Sequence, residues 1–275
     1  MAGFASQIWC LFILALSVWA DFDYRTPRHD GQGPLGVTLD YSLARSWPKE
    51  IPGKGQDPVA RNFVWTSHIV LNGPVSRFTD GQLWRIALDA WNEIHPDMAQ
   101  YGIPRTKNLT PLAMSILAFD NEIILASSQK GKQSFSYASP ENPVSRALNA
   151  CQIMSAEKTS VSKRHKNQGK CGEEMAAHIF YRLYPGQDLA SRNAVVGTWV
   201  ADNHLSTVPV RTDPCGIADN VSQDPCPLFL IAVWGCNLFV ETQKLRVLDP
   251  NIADEPYDFA AAGGVRTINQ IQLLC

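Results

Sequence analysis

The chain lacks strong net charge and, after its first twenty residues, any long apolar run. A net charge of −2 gives no global attraction to a phosphate backbone. A spanning helix needs about 20 consecutive apolar residues, and no stretch reaches that length, so no membrane segment is expected in the mature chain. There is no G-x-S-x-G elbow, P-loop, HExxH helix or glycine-rich dinucleotide turn. Repeats, heptads and low-complexity tracts are missing too, and no local pattern nominates a Ser-His-Asp triad.

The start of the chain has its own character. Residues 1–20 carry no charged side chain, Ile8 to Leu16 is apolar throughout, and Val18-Trp19-Ala20 is an imperfect small-residue cleavage pattern. The segment reads as a signal peptide without the usual positive n-region, which predicts an extracellular mature protein. Two sequons, Asn108-Leu109-Thr110 and Asn220-Val221-Ser222, agree with a secreted glycoprotein. Six cysteines then remain: Cys151, Cys171, Cys215, Cys226, Cys236 and Cys275. An even count in a secreted chain suggests disulfides, with fifteen pairings open, among them Cys151 with Cys236 or Cys275.

Residues 21–60 are rich in Pro, Gly and charge and read as an extended or disordered arm. Residues 61–110 read as an N-terminal helical extension. Within it, Phe63 to Leu71 is a strand candidate, and Thr79 with Gln82 forms a capping box before a helix ending at His95-Pro96. Trp84 and Trp91, seven apart, are expected on one buried face. Leu112–Leu117 and Glu122–Ser127 read as a hairpin, with Ser134–Tyr137 lengthening that sheet. A helix follows Asn142-Pro143, and another follows Cys171. Asn193–Ala201, Leu228–Val233 and Leu238–Leu248 are further strand candidates. Residues 111–275 thus predict one α/β domain, a mixed sheet packed between helices.

The chemistry-bearing residues are Cys171-Gly172-Glu173, Pro214-Cys215 and Pro225-Cys226. A metal ligand two residues before a glutamate, with later Pro-Cys thiols, is the skeleton of the zinc nucleobase deaminases. By this motif order, residues 111 to about 245 resemble the cytidine deaminase-like superfamily, particularly its toxin-type and fungal members. The resemblance implies a three-layer sandwich, Cys171, Cys215 and Cys226 as zinc ligands, and Glu173 as proton shuttle, with Cys236 as reserve ligand. It also implies a nucleobase, nucleoside or single-stranded nucleic acid as substrate, for a toxin or effector. The chain departs from the family where Cys226 lies eleven positions after Cys215, against an expected three. Other readings stay open: a non-catalytic, disulfide-stapled effector or recognition protein, or a structural zinc closed by Cys236 as a fourth thiolate. The basic stretch from Lys158 to Lys170 reads as a solvated loop, a nucleic-acid contact, or a dibasic processing site at Lys163-Arg164. His165 and His204 are placed in loops, where either could bind a metal, and His178 is expected to pack or face solvent.

Overall fold

A computed structural model describes residues 29–40, 62–131, 134–137, 141–160, 162–216 and 234–269. Its main sheet runs β1 (Thr38–Leu39), β3 (Trp65–Leu71), β5 (Glu122–Ser127), β4 (Ala113–Phe119), β7 (Val195–Val200) and β8 (Val210–Thr212). Strand β10 (Val265–Asn269) also pairs with β3, and β9 (Arg246–Val247) runs parallel to β7. A separate two-strand ladder joins β2 (Asn62–Phe63) to β6 (Lys130–Gly131). The fold is mixed α/β with a mostly antiparallel sheet, and no described helix is long and apolar enough to cross a membrane.

The central hairpin explains the layering. Strand β4 is buried along its whole length, because helices cover both faces and polar alternation would leave a polar group in one core. Met114, Ile116 and Ala118 enter one cluster with Trp84 and Trp91 of α1 (Asp80–Gln100). Leu117 and Phe119 enter the other, with residues of α2 (Pro143–Thr159), α3 (Gly172–Leu183) and α4 (Cys236–Thr242). Ser115 and Thr198, directly opposed across β4 and β7, are buried polar residues on the second face.

Helix α1 has the predicted capping box at Thr79 and Gln82 but runs through Pro96 to Gln100. The last turn is held from outside: the Asp97 carboxylate accepts from Leu39 N, Thr38 Oγ1 and Trp65 Nε1 at 2.8–3.0 Å. One turn earlier, Glu93 accepts the backbone amides of Leu35 and Val37 at 2.8 and 3.0 Å. Residues 29–40, expected to be a loose arm, are therefore docked, with Leu35, Val37 and Leu39 fully buried. Nor does residue 110 divide the chain into units. The Trp199 indole donates to the Trp84 carbonyl at 2.8 Å, and β3 lies in the same sheet as β4 and β5.

Three further readings change. Phe135–Tyr137 forms a 3-10 turn, not a strand. The span 238–248 divides into the end of α4 and the short β9, since an apolar run this brief has no period to separate helix from strand. Cys151 is a buried free thiol 3.7 Å from Thr242 Oγ1, and it is not bonded to Cys236. Residues 1–20, Asn220, Cys226, Leu228–Val233 and Cys275 lie outside the described residues, and Asn108 is exposed.

Candidate metal centre

Cys171 is the N-cap residue of α3, with extended backbone angles and no side-chain cap hydrogen bond. Its sulfur is thus not committed to the helix amides; the positive end of the macrodipole favours a thiolate there, but hydrogen bonding to Cys215, and burial after it, hold the thiol well above its ordinary range. Gly172 allows this end to sit on the sheet: a Cβ there would overlap Ser115 Oγ and stand 2.7 Å from the Ala126 carbonyl.

A second helix start supplies one more sulfur, and the turn after β8 supplies another. Cys236 opens α4, and its sulfur lies 3.4 Å from that of Cys215. Gly235 permits the approach, because a Cβ there would meet both the Cys215 carbonyl and its sulfur at 2.5 Å. The Asn237 amide donates to the Cys215 carbonyl at 3.0 Å, and the Cys236 amide to Cys215 Sγ at 3.2 Å. His165, Cys171, Cys215 and Cys236 have ligand atoms that all lie within 4.8 Å of one another. Cys171, Glu173, Glu174 and Cys236 form an overlapping set.

The loop before α3 closes the cluster from above. The Asn167 side-chain amide donates to Cys171 Sγ at 3.2 Å and Cys215 Sγ at 3.5 Å. His165 Nε2 stands 3.4 Å from Cys236 Sγ, 3.9 Å from Cys215 Sγ and 3.3 Å from Glu174 Oε1. Trp234 packs edge-on against the His165 ring and donates its indole proton to the Lys163 carbonyl.

Two carboxylates of α3 face the sulfurs from a dry interior. Glu173 is 4 % exposed, and its Oε1 accepts from Thr198 Oγ1 at 3.0 Å; Thr198 Oγ1 in turn lies 2.7 Å from Ser115 Oγ. Burial first, then the Glu174 charge, pushes Glu173 up to about 7. Glu174 is raised by burial as well, against the pull of His165, and its Oε1 has no hydrogen-bond partner among the described residues. Burial works against charge on His165, but Glu174 and Cys215 outweigh it and the imidazole is raised. Hydrogen bonding from Cys171 and then Cys236 holds the Cys215 thiol far below its ordinary range. Cys236 is raised by burial.

The structure therefore brings Cys171, Glu173 and Cys215 together. Cys236, the reserve ligand of the sequence reading, stands with them. No family model, curated protein or solved structure matches this chain. Sequence reasoning weighed His165 as a loop residue able to bind metal and Glu174 as a helix N-terminal carboxylate, and it passed over Thr198 and Ser115. His165 sits in a run of lysines that reads as solvated, yet it is 1 % exposed. Thr198 and Ser115 become visible only through strand register. His204 lies in a surface turn where its carbonyl accepts from Arg105, apart from the cluster.

The donor set fits a metal ion. Thiolate sulfur and imidazole suit zinc and other soft or borderline cations. Three cysteine sulfurs converge there beside the buried carboxylates of Glu173 and Glu174, with His165 as a basic neighbour.

Proposed function

We propose that this chain is a secreted, zinc-dependent hydrolytic deaminase of a nucleobase, either free, in a nucleoside or in single-stranded nucleic acid. The observation that carries the reading is the meeting of Cys171, Cys215 and Cys236 beside the buried Glu173. The order of elements supports it. The Cys-Gly-Glu opens the helix after the hairpin's two strands and α2, while Cys215 and Cys236 flank the start of the helix after β7 and β8. Catalytic zinc sites keep three protein ligands and one open position.

Zinc bound by the three thiolates would supply the Lewis acidity that makes water a nucleophile at neutral pH. The protein supplies the rest. Glu173, poised near 7, takes a proton from the attacking water, gives one to the ring nitrogen and later serves the departing amine. Ser115 and Thr198 hold its carboxylate in place.

A second reading keeps support from one distance. Cys215 and Cys236 sulfurs 3.4 Å apart are within reach of a disulfide after a small shift, which would give a stapled, non-catalytic effector. Metal content of the purified full chain, with a free-thiol count, separates the two. One zinc per chain, lost in Cys171→Ser, supports the deaminase, and a screen of bases, nucleosides and oligonucleotides with Glu173→Ala as control then finds the substrate. No metal and a Cys215–Cys236 bond support the staple.

A further inference from the structure

We infer that His165 is not a fourth ligand of this centre but a positioning residue, which donates its Nε2–H to the Cys215 and Cys236 sulfurs and leaves one coordination position free for water. The inference rests on the metal-centre reading above and concerns which donors touch the ion.

The decisive contacts are on the far side of the ring. His165 Nδ1 accepts two backbone amides, Asn167 N at 3.0 Å and Gly169 N at 3.2 Å. A backbone amide only donates, so Nδ1 carries no proton, and the proton of a neutral imidazole must then be on Nε2. A neutral histidine that binds metal through Nε2 needs the opposite arrangement, an Nδ1–H with an acceptor to receive it. Among the described residues, Nδ1 faces two donors and no acceptor.

The ring cannot escape by turning over. A half-turn would place carbon against both amides and strip the buried Gly169 amide and the part-buried Asn167 amide of their partner. The amides are themselves fixed, since Gln168 N donates to the His165 carbonyl at 2.8 Å and Lys166 N to the Trp234 carbonyl at 3.0 Å. Gln168 and Gly169 both hold left-handed backbone angles, with φ of 57° and 64°. Trp234 stands edge-on against the ring at 5.2 Å.

The Nε2 proton goes to sulfur. Glu174 Oε1, although 3.3 Å away, receives no hydrogen bond, whereas both sulfurs do. With Asn167 on Cys171 and Cys215, this one loop gives every thiol of the centre an N–H donor. Such donors disperse thiolate charge and fix the sulfurs without filling the coordination shell.

The test uses the full chain with ¹⁵N-labelled histidine, with and without one equivalent of zinc, and a zinc K-edge spectrum of the loaded protein. The expected result is an Nε2–H tautomer for His165 in both states, with a shell of three sulfurs and one light atom and no imidazole-ring scattering. His165→Gln should still bind one zinc per chain, with affinity lowered about 10–100-fold. An Nδ1–H tautomer in the loaded protein, or ring scattering that disappears in His165→Gln, overturns the inference and leaves the metal centre standing. A wild-type protein that takes up no zinc overturns the parent reading together with this one. If His165→Gln does not fold, the wild-type spectra decide alone.

Discussion

Thr198 donates its hydroxyl proton to Glu173 Oε1 at 3.0 Å, from the middle of β7 to the first turn of α3. This hydrogen bond favours the ionised carboxylate and partly offsets the effects of burial and of Glu174. Thr198→Val keeps the shape and removes the donor. Glu173 should then titrate higher than in the wild type, and stability should fall by about 1–2 kcal/mol because Ser115 loses its partner. Carbon-13 titration of the Glu173 carboxyl reads the first effect and urea unfolding the second. An unmoved Glu173 titration would remove Thr198 from the proton path.

Gly172 gives a sharper steric test. Any β-carbon there must displace Ser115 or the Ala126 carbonyl, so Gly172→Ala should lift the start of α3 off the sheet. Overpacking of this kind costs about 1–3 kcal/mol. Zinc uptake should weaken at the same time, because the Cys171 sulfur moves with the helix end. Retained stability with retained metal binding would contradict this placement of the helix.

The elements that were legible in the sequence are those with long periods or strong punctuation. Thr79 with Gln82, the Asp120-Asn121 turn and the Asn142-Pro143 start each state their structure locally. The candidate site was half legible, because Cys171 and Glu173 are a fixed spacing on one helix start. Cys236 and His165 could not be chosen by spacing, since a strand edge and two helices bring them to Cys171. The docking of residues 29–40 was hidden for a related reason. The segment's partners, Glu93 and Asp97, look like ordinary surface acids of an amphipathic helix.

His178, read from sequence as packing or surface, is 2 % exposed and hydrogen-bonded on both sides. Ser136 Oγ donates to the Gly169 carbonyl, so it accepts from His178 Nε2 at 3.0 Å, and His178 Nδ1 accepts from Asn142 Nδ2 at 3.0 Å. Burial, and then Arg182, lowers this imidazole to about 3. Above about pH 6.5 the imidazole is neutral in both folded and unfolded chains and adds no pH dependence. Below that, the unfolded chain binds a proton that the folded chain refuses until about pH 3. Stability should therefore fall by about 1.4 kcal/mol per pH unit across that window. Urea midpoints at pH 7.5, 6 and 5 measure it, and His178→Gln should flatten the slope.

Asp97→Ala tests the N-terminal strap. The change leaves the Leu39 amide, the Thr38 hydroxyl and the Trp65 indole without their shared buried acceptor. A loss of about 3 kcal/mol in urea unfolding is expected, together with faster proteolysis within residues 29–40. A surface-like change below about 0.5 kcal/mol would mean that the strap contributes little.

The three sulfurs come from separate stretches of chain, and they meet only after β7, α3 and α4 have docked. A nascent chain has no such pocket, and its thiols are open to whatever oxidant the compartment holds. On the proposed metal-centre reading, maturation is a race between assembly and oxidation. The order in which a cell presents metal and oxidant to the new chain decides which protein it obtains.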